Sequence, residues 1–397
     1  MFHAFESIHY WLVLSFTVLL FWLLPKEYRT PFLACVSFGY VFSIQPTGVF
    51  SIAIWVFLFF FFSRQISQGK EWTKGLVPVA VISIVFFLCF YKYIPFLLAA
   101  WGIKSAAIAI VIPVGLSFIA FRLIHYIIES SRNQLPPFTI NDFIAYAFFF
   151  PIWIYGPIQR FDRYLNEQEN TFNREHLFVG LKRIFYGLAK NFIIIHYVLE
   201  QLYGNVNSPQ ILLANLDQIS SIEIWRYLGV HWLIHYIDFS AYSDIAIGSA
   251  QMFGIKIMEN FKLPLLAKDI SDFWRRWHLS LSNWCQTYIY MPIIAHTRNP
   301  WLAVYGTFLV MGLWHPTSWQ WILWGIYHAT GVSIFRLWNN LYRRRKWTFA
   351  NHRFAEVFGR VITILFVVAA GSFTALVDIG TVADSFRVLA KTVFISY

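Results

Sequence analysis

Long apolar runs decide what this chain can fold into. The clearest are "IHYWLVLSFTVLLFWLL" (Ile8–Leu24), "VFSIAIWVFLFFFFS" (Val49–Ser63), "LVPVAVISIVFFLCFY" (Leu76–Tyr91) and "AAIAIVIPVGLSFIAF" (Ala106–Phe121). With their flanks they approach or reach the roughly 17–25 residues a helix needs to cross the hydrocarbon core of a bilayer. Further runs lie at Phe143–Tyr155, Phe178–Leu199, Tyr227–Phe253, Trp301–Trp314, Trp319–Leu337, Val361–Leu376 and Phe386–Ile395. The expected fold is all-α and polytopic, with about eleven transmembrane or re-entrant helices, some runs being short enough to turn back. Charged residues make up 13% of the chain, half the roughly 25% of a soluble domain, which points the same way.

His3 and Glu6, not a basic segment, precede the first run, and no small-residue cleavage site follows Leu24. We therefore expect that run to stay as an anchor. The net charge of +11 raises the question of nucleic acid, but its position excludes that partner. The basic residues stand in short loops beside apolar runs, as in "RLWNNLYRRRKW" (Arg336–Trp347) and at Arg64, Lys70 and Lys74, the mark of cytoplasmic loops. The surface expected to meet them is anionic lipid of the bilayer or an acidic partner. Cys35, Cys89 and Cys285 are scattered in apolar surroundings and read as buried free thiols. Neither a linker nor an internal repeat breaks the chain, so residues 1–397 are expected to form one membrane-embedded domain.

Polar groups inside apolar runs cost several kcal/mol unless they are paired or face water, and four clusters ask for such an explanation. Arg122, His125 and Glu129 fall three and four apart on one helical face, either as an Arg–Glu pair with a snorkelling end or as a wall of a polar cavity. "FFFPIWIYGPIQRF" (Phe148–Phe161) must break a helix, as a re-entrant turn or a plain helix end. In "HWLIHYIDFSAYSDIAIG" (His231–Gly248), His231, His235 and Asp238 share a stripe. That spacing can hold a metal, but paired histidines are the commoner use, and no metal is assigned. Asp238, Ser240 and Asp244 either line a polar path as substrate-binding groups or brace neighbouring helices. The fourth cluster joins "DFWRRWHLSLSNWCQTYIYMP" (Asp272–Pro292) to "FLVMGLWHPTSWQWILWGIYH" (Phe308–His328). It carries His278 and His315, the latter at the end of an apolar run with no charged neighbour. An ionisable residue at such depth is a functional candidate by default.

"DFSAYSDIAIG", "ENFKLPLLAKDISDFWRRWHLSLSNW" and "MGLWHPTSWQWILWGIYH" together resemble the membrane-bound O-acyltransferase family, over roughly Pro113 to Gly331. "PVGLSFIAFR" and "GPIQRFDRY" resemble the teichoic acid D-alanyl branch, and "DFSAYSDIAIG" and "FWRRWHLSLSNW" the alginate O-acetyltransferase branch. The chain departs from the family at Gln286 and Thr287, in "IAHTRNPW", and at Pro316. The resemblance implies a polar tunnel across the membrane, an essential histidine at His315 and a second family histidine at His278. It also implies an acyl donor entering from the cytoplasm, either acetyl-CoA or an acyl-phosphopantetheine carrier protein. The acceptor would be a hydroxyl of a cell-surface polysaccharide or of an extracytoplasmic partner transferase. No bound cofactor is expected. Arg275 and Arg276 would meet donor phosphates, with Trp274, Asn283 and Trp284 beside them.

Chemistry agrees with that placement. Attack of a hydroxyl on a thioester needs a base near neutral pH, which imidazole supplies. His315 is the expected base, and His278, Asn283 or the Trp284 N–H would steady the oxyanion. With no Gly-x-Ser-x-Gly elbow, direct transfer is preferred to an acyl-serine. The rival reading, a transporter or channel, shares the buried polar groups but calls for repeated halves.

Overall fold

The computed structural model describes residue 5 and residues 7–68, 73, 75–100, 112–169, 171–345 and 353–393. Lys70, Lys74, Lys346 and the first part of the Ala106–Phe121 run lie outside the described residues. Their regular structure is helical, with one isolated antiparallel bridge between Gln168 and Ile255, as lipid demands of backbone groups that find no water. The chain divides into two compact units, residues 1–188 with 241–259, and residues 189–240 with 260–397.

The first unit holds α1 (Ile8–Leu23), α2 (Lys26–Ile44), α3 (Pro46–Ile66), α4 (Leu76–Ala100), α5 (Leu116–Ser131), α6 (Ile140–Phe148), α7 (Phe161–Asn166) and α8 (Arg174–Ala189). Helix α1 is apolar on every side. Ile8, Leu12, Phe16, Leu19 and Leu23 are exposed at helical spacing, while Tyr10, Leu14, Val18 and Phe21 are buried. An outward stripe that oily belongs in lipid. Helices Pro46–Ile66, Leu76–Leu98 and Phe354–Thr374 are long and apolar enough to cross a membrane, with shorter apolar helices at Ile8–Leu23, Ile140–Ile152 and Pro300–Trp314. The protein is a multi-pass, all-helical membrane protein.

Between α6 and α7 the helix breaks at Phe149 and turns through Phe150–Ile152. The freed carbonyls need donors at a depth without water, and Arg122 of α5 provides them. Its guanidinium donates to the carbonyls of Tyr146 (3.4 Å), Ala147 (3.4 Å) and Ile152 (2.7 Å). His125, one turn on, accepts the Phe161 N–H at 2.9 Å. Glu129 bonds instead to Arg132, at 3.0 Å, so the Arg122–Glu129 pair that the spacing allows does not form. The cluster is a staple across a broken helix. Cys285 is buried, but Cys35 is exposed, because an apolar neighbourhood in a membrane chain can be lipid.

In the second unit, α8 continues as a π-helical stretch, Lys190–Leu199, followed by α9 (Pro209–Ala214) and α10 (Ser221–Gln251), whose last turns belong to the first unit. Then come α11 (Ile270–Trp274), α12 (Leu279–Cys285), α13 (Met291–Thr297), α14 (Pro300–Trp314), α15 (Trp319–Arg344), α16 (Arg353–Ala369), α17 (Gly371–Thr374) and α18 (Val382–Val393). Helices α14 and α15 form a close-packed hairpin. A Cβ on Gly312 would stand 2.6 Å from the Trp321 carbonyl oxygen, and one on Gly325 would stand 2.5 Å from that of Phe308. Two small residues at the crossing let the backbones touch, as membrane helices do where no hydrophobic force drives them together.

Candidate active site

His315 caps the α14–α15 hairpin. Its amide N–H closes the last turn of α14 on the Met311 carbonyl at 3.3 Å, its backbone then turns extended, and Pro316 prevents further helix. Ser318 starts α15 by accepting the Gln320 N–H at 3.1 Å. The imidazole lies flat on the Trp321 indole, with centroids 3.7 Å apart and planes 8° from parallel. Trp314 (4.8 Å) and Trp324 (5.3 Å) stand at its sides. The ring is half-buried, so its orientation is fixed while part of it remains open.

His278 approaches this cluster from α12. It is 5% exposed, and its ring is edge-on to Phe239 at 4.7 Å and 5.9 Å from Trp314. Its backbone is left-handed, with φ 43° and ψ 55°, a strained state for a side chain with a Cβ. The neighbours hold it there. The Lys262 N–H donates to the Arg276 carbonyl at 2.9 Å, the Leu279 N–H to the Asn260 carbonyl at 2.9 Å, and the Ser280 hydroxyl to the Asn260 side chain at 2.6 Å. His278 Nε2 is buried with no hydrogen-bonding partner among the described residues, a state that is uncommon in folded proteins and wants a reason.

Arg275 and Arg276 are not equivalent. Asp269 caps α11 through the Asp272 N–H (2.7 Å), and the Asp272 carboxylate accepts the Lys268 N–H (3.1 Å) and Arg276 Nε (2.9 Å). Burial pushes that carboxyl up, but the Lys268 amide and Arg276 outweigh it and leave it below its ordinary range. Arg276 also donates to the Lys262 carbonyl at 3.2 Å, so it clamps the loop that carries His278. The Arg275 side chain is 69% exposed and stands 3.7 Å from Asp272, which leaves it the freer to meet a ligand.

The other sequence candidates fall into separate places. Trp274 joins the histidine cluster, 5.8 Å from Trp324. Trp284 packs against Tyr288, and the Asn283 carbonyl accepts the Thr287 hydroxyl. Asp238 accepts from Asn191 at 3.1 Å and Ser240 accepts from Lys190 at 2.7 Å. These two thus brace the π-helical stretch, with Phe239 between them against His278. Asp244 belongs to the first unit, where Arg183 bonds both it (3.0 Å) and Glu259. His231 and His235 stack as a ladder with Tyr227, centroids 6.0 and 6.2 Å apart. No three metal-ligating side chains gather among the described residues.

One residue escaped the sequence reading. His328 follows Trp321 and Trp324 by seven and four positions, on the same face of α15. It is 1% exposed, with Trp324 at 4.7 Å and Trp274 at 5.2 Å. Its spacing from two tryptophans is the signal the sequence offers.

Residues 123–377 match the membrane-bound O-acyltransferase family. Among curated proteins, the chain is 31% identical over 336 residues to a probable alginate O-acetylase of Azotobacter vinelandii, covering 80% of this chain and 65% of the relative. It is 31% identical over 278 residues to a teichoic acid D-alanyltransferase of Bacillus subtilis (strain 168), covering 64% of this chain and 66% of the relative. Similarity to a peptidoglycan O-acetyltransferase of Helicobacter pylori is 27% over 319 residues, 71% of this chain and 59% of the relative. The chain thus spans between 59% and 66% of the length of these relatives. Its matched region holds both histidines, the tryptophans packed on His315 and the hairpin that carries them, and the chain belongs to the membrane-bound O-acyltransferase family.

Proposed function

We propose that this protein is an O-acyltransferase that moves a small acyl group from a cytoplasmic thioester to a hydroxyl on the outer side of the membrane. The observation that carries the reading is the orientation of His315, an imidazole held flat on Trp321 at a helix turn. His315 takes the proton of the acceptor hydroxyl as its oxygen attacks the thioester carbonyl carbon. The new C–O bond forms, the C–S bond breaks, and the leaving thiolate takes the proton that His315 carries. His278, with Nε2 protonated, donates to the oxyanion that develops between these events, and Asn283 and Trp284 are secondary candidates for that part. The strained backbone of His278 supports a positioning role of this kind.

Acetyl is the preferred group and D-alanyl the second, so the donor is acetyl-CoA or an acyl-phosphopantetheine carrier protein. The acceptor is a cell-envelope polysaccharide or the hydroxyl of an extracytoplasmic partner that passes the group on. Relatives named for alginate, peptidoglycan and teichoic acid support an envelope polymer without choosing among them. The purified protein in nanodiscs, given acetyl-CoA or a D-alanyl carrier, should release free thiol with one of them in the presence of envelope glycan, and His315→Gln should not. Absence of thiol release with both donors, and of acylated glycan in producing cells, would sink the reading.

A further inference from the structure

Away from the histidine cluster, the first unit holds a cleft of its own. It opens where α1 ends and α2 begins, beside the Gln168–Ile255 bridge, and encloses ≈ 370 Å³ with its mouth included. Its wall is of two kinds. Leu33 and Phe253 give an apolar side, and Lys26, Arg29, Thr30 and Glu169 a polar one.

The charges in that wall do not cancel. Glu169 is already engaged by Lys256 at 2.9 Å and by His176 at 3.1 Å. Arg29 is fixed in place: its Nε donates to the Leu24 carbonyl at 3.0 Å, and its guanidinium lies over the Trp22 ring, 4.9 Å from a centroid. Lys26 is exposed and enters no ion pair among the described residues. The cleft thus offers two cations against a carboxylate that Lys256 has matched.

Depth says which anion meets them. A turn between two membrane helices lies at the level of the head groups, and its surroundings carry the aromatic belt of that level. Trp22 donates to the Met252 carbonyl at 2.9 Å, Phe172 stands edge-on to it at 5.5 Å, and both Phe172 and Tyr28 are exposed. Lysine and arginine at such a turn mark the cytoplasmic side, whose leaflet carries anionic lipid. A guanidinium and an ammonium together suit a phosphate group. The apolar side suits the carbon chains that follow a lipid phosphate and would be wasted on a free one.

We propose that this cleft seats the phosphate of an anionic phospholipid, held by Lys26 and Arg29, with the start of its acyl chains along Leu33 and Phe253. A zwitterionic head group fits worse, because its ammonium would stand beside two cations while Lys256 occupies Glu169. The site is independent of the acyl-transfer reading.

The test counts the lipids that the purified full chain retains in native mass spectrometry after exposure to equal amounts of phosphatidylglycerol and phosphatidylethanolamine. The wild-type protein should retain one phosphatidylglycerol in preference. Lys26→Gln should cut that retention about fivefold, the effect of one cation at an anionic membrane surface, and Lys26→Arg should preserve it. Lys182→Gln, on an exposed lysine of α8 outside the cleft, should change nothing. Equal loss in the two glutamine variants, or no preference in the wild type, overturns the site. Inorganic phosphate should displace the lipid no better than chloride at equal ionic strength; stronger displacement makes the cleft a seat for free phosphate and overturns the lipid assignment. Should Lys26→Gln fail to fold, salt decides with the wild-type protein. Retention should fall as salt rises, and retention indifferent to salt overturns the part given to the two cations.

Discussion

In the proposed reaction the base must be held so that one nitrogen meets the acceptor hydroxyl, and at His315, our candidate, the work is divided between backbone and rings. The helix cap sets its Cα, and the Trp321 face sets the ring plane. Glutamine keeps some hydrogen bonding there but cannot take up a proton. His315→Gln should therefore lower kcat by ~10²–10⁴-fold while donor binding, read by KM or by calorimetry, stays close to wild type. Turnover within a few-fold of wild type in a folded variant would place the base elsewhere. His278→Ala should be damaged less, since it removes a hydrogen-bond donor but leaves the base; alanine keeps a Cβ, so the left-handed backbone stays strained. The two arginines divide likewise. Arg275→Gln should raise the KM for a phosphate-bearing donor with kcat nearly unchanged, and more so at low salt. Arg276→Gln, which unclamps the loop before His278, should lower kcat and thermal stability together; identical effects from both would return the pair to a shared role at the lipid headgroups.

Among elements, the α14–α15 hairpin sets the site. Gly312→Ala puts a Cβ 2.6 Å from the Trp321 carbonyl oxygen, and backbone cannot step aside as a side chain can. Forced separation costs about 1–3 kcal/mol and lifts Trp321 from His315. Activity should fall at least tenfold and Tm by several degrees. Gly306→Ala on the same helix is the control, because its Cβ would meet only the Ile293 Cδ1 tip; equal loss in both would point to helix packing at large instead of this crossing. Much of this hairpin was legible. The apolar runs gave α14 and α15 to within a residue at their starts, and Pro316 marked the turn. What sequence could not give is which of seven aromatic and imidazole rings touch, since ring contacts between α11, α12 and α15 are set by packing across distant segments. Arg122 shows the same limit. Helical spacing linked it to Glu129, but the carbonyls it bonds belong to a broken helix whose path sequence leaves open.

For the whole molecule, connectivity and charge carry the argument. The chain passes between its two compact units three times, after Leu188, Ser240 and Glu259. Neither unit is a contiguous segment that separates by one cut, which supports our proposal that residues 1–397 form one domain. Orientation in the bilayer follows from basic residues near helix ends, which stay on the cytoplasmic side because moving them across the membrane is costly. Helix α15 ends in Arg343 and Arg344 with Arg345 as its cap, and Asn340, one turn before, is exposed. The donor arm, in the proposed reaction, must enter from that end and the acceptor from the His315 end, so orientation and mechanism stand together. A single cysteine at Asn340, in a chain whose Cys35, Cys89 and Cys285 are replaced by serine or alanine, should react with an impermeant maleimide only after the cells are opened. Labelling in intact cells would reverse α15 and with it the direction assigned to donor and acceptor, although the chemistry of His315 would stand.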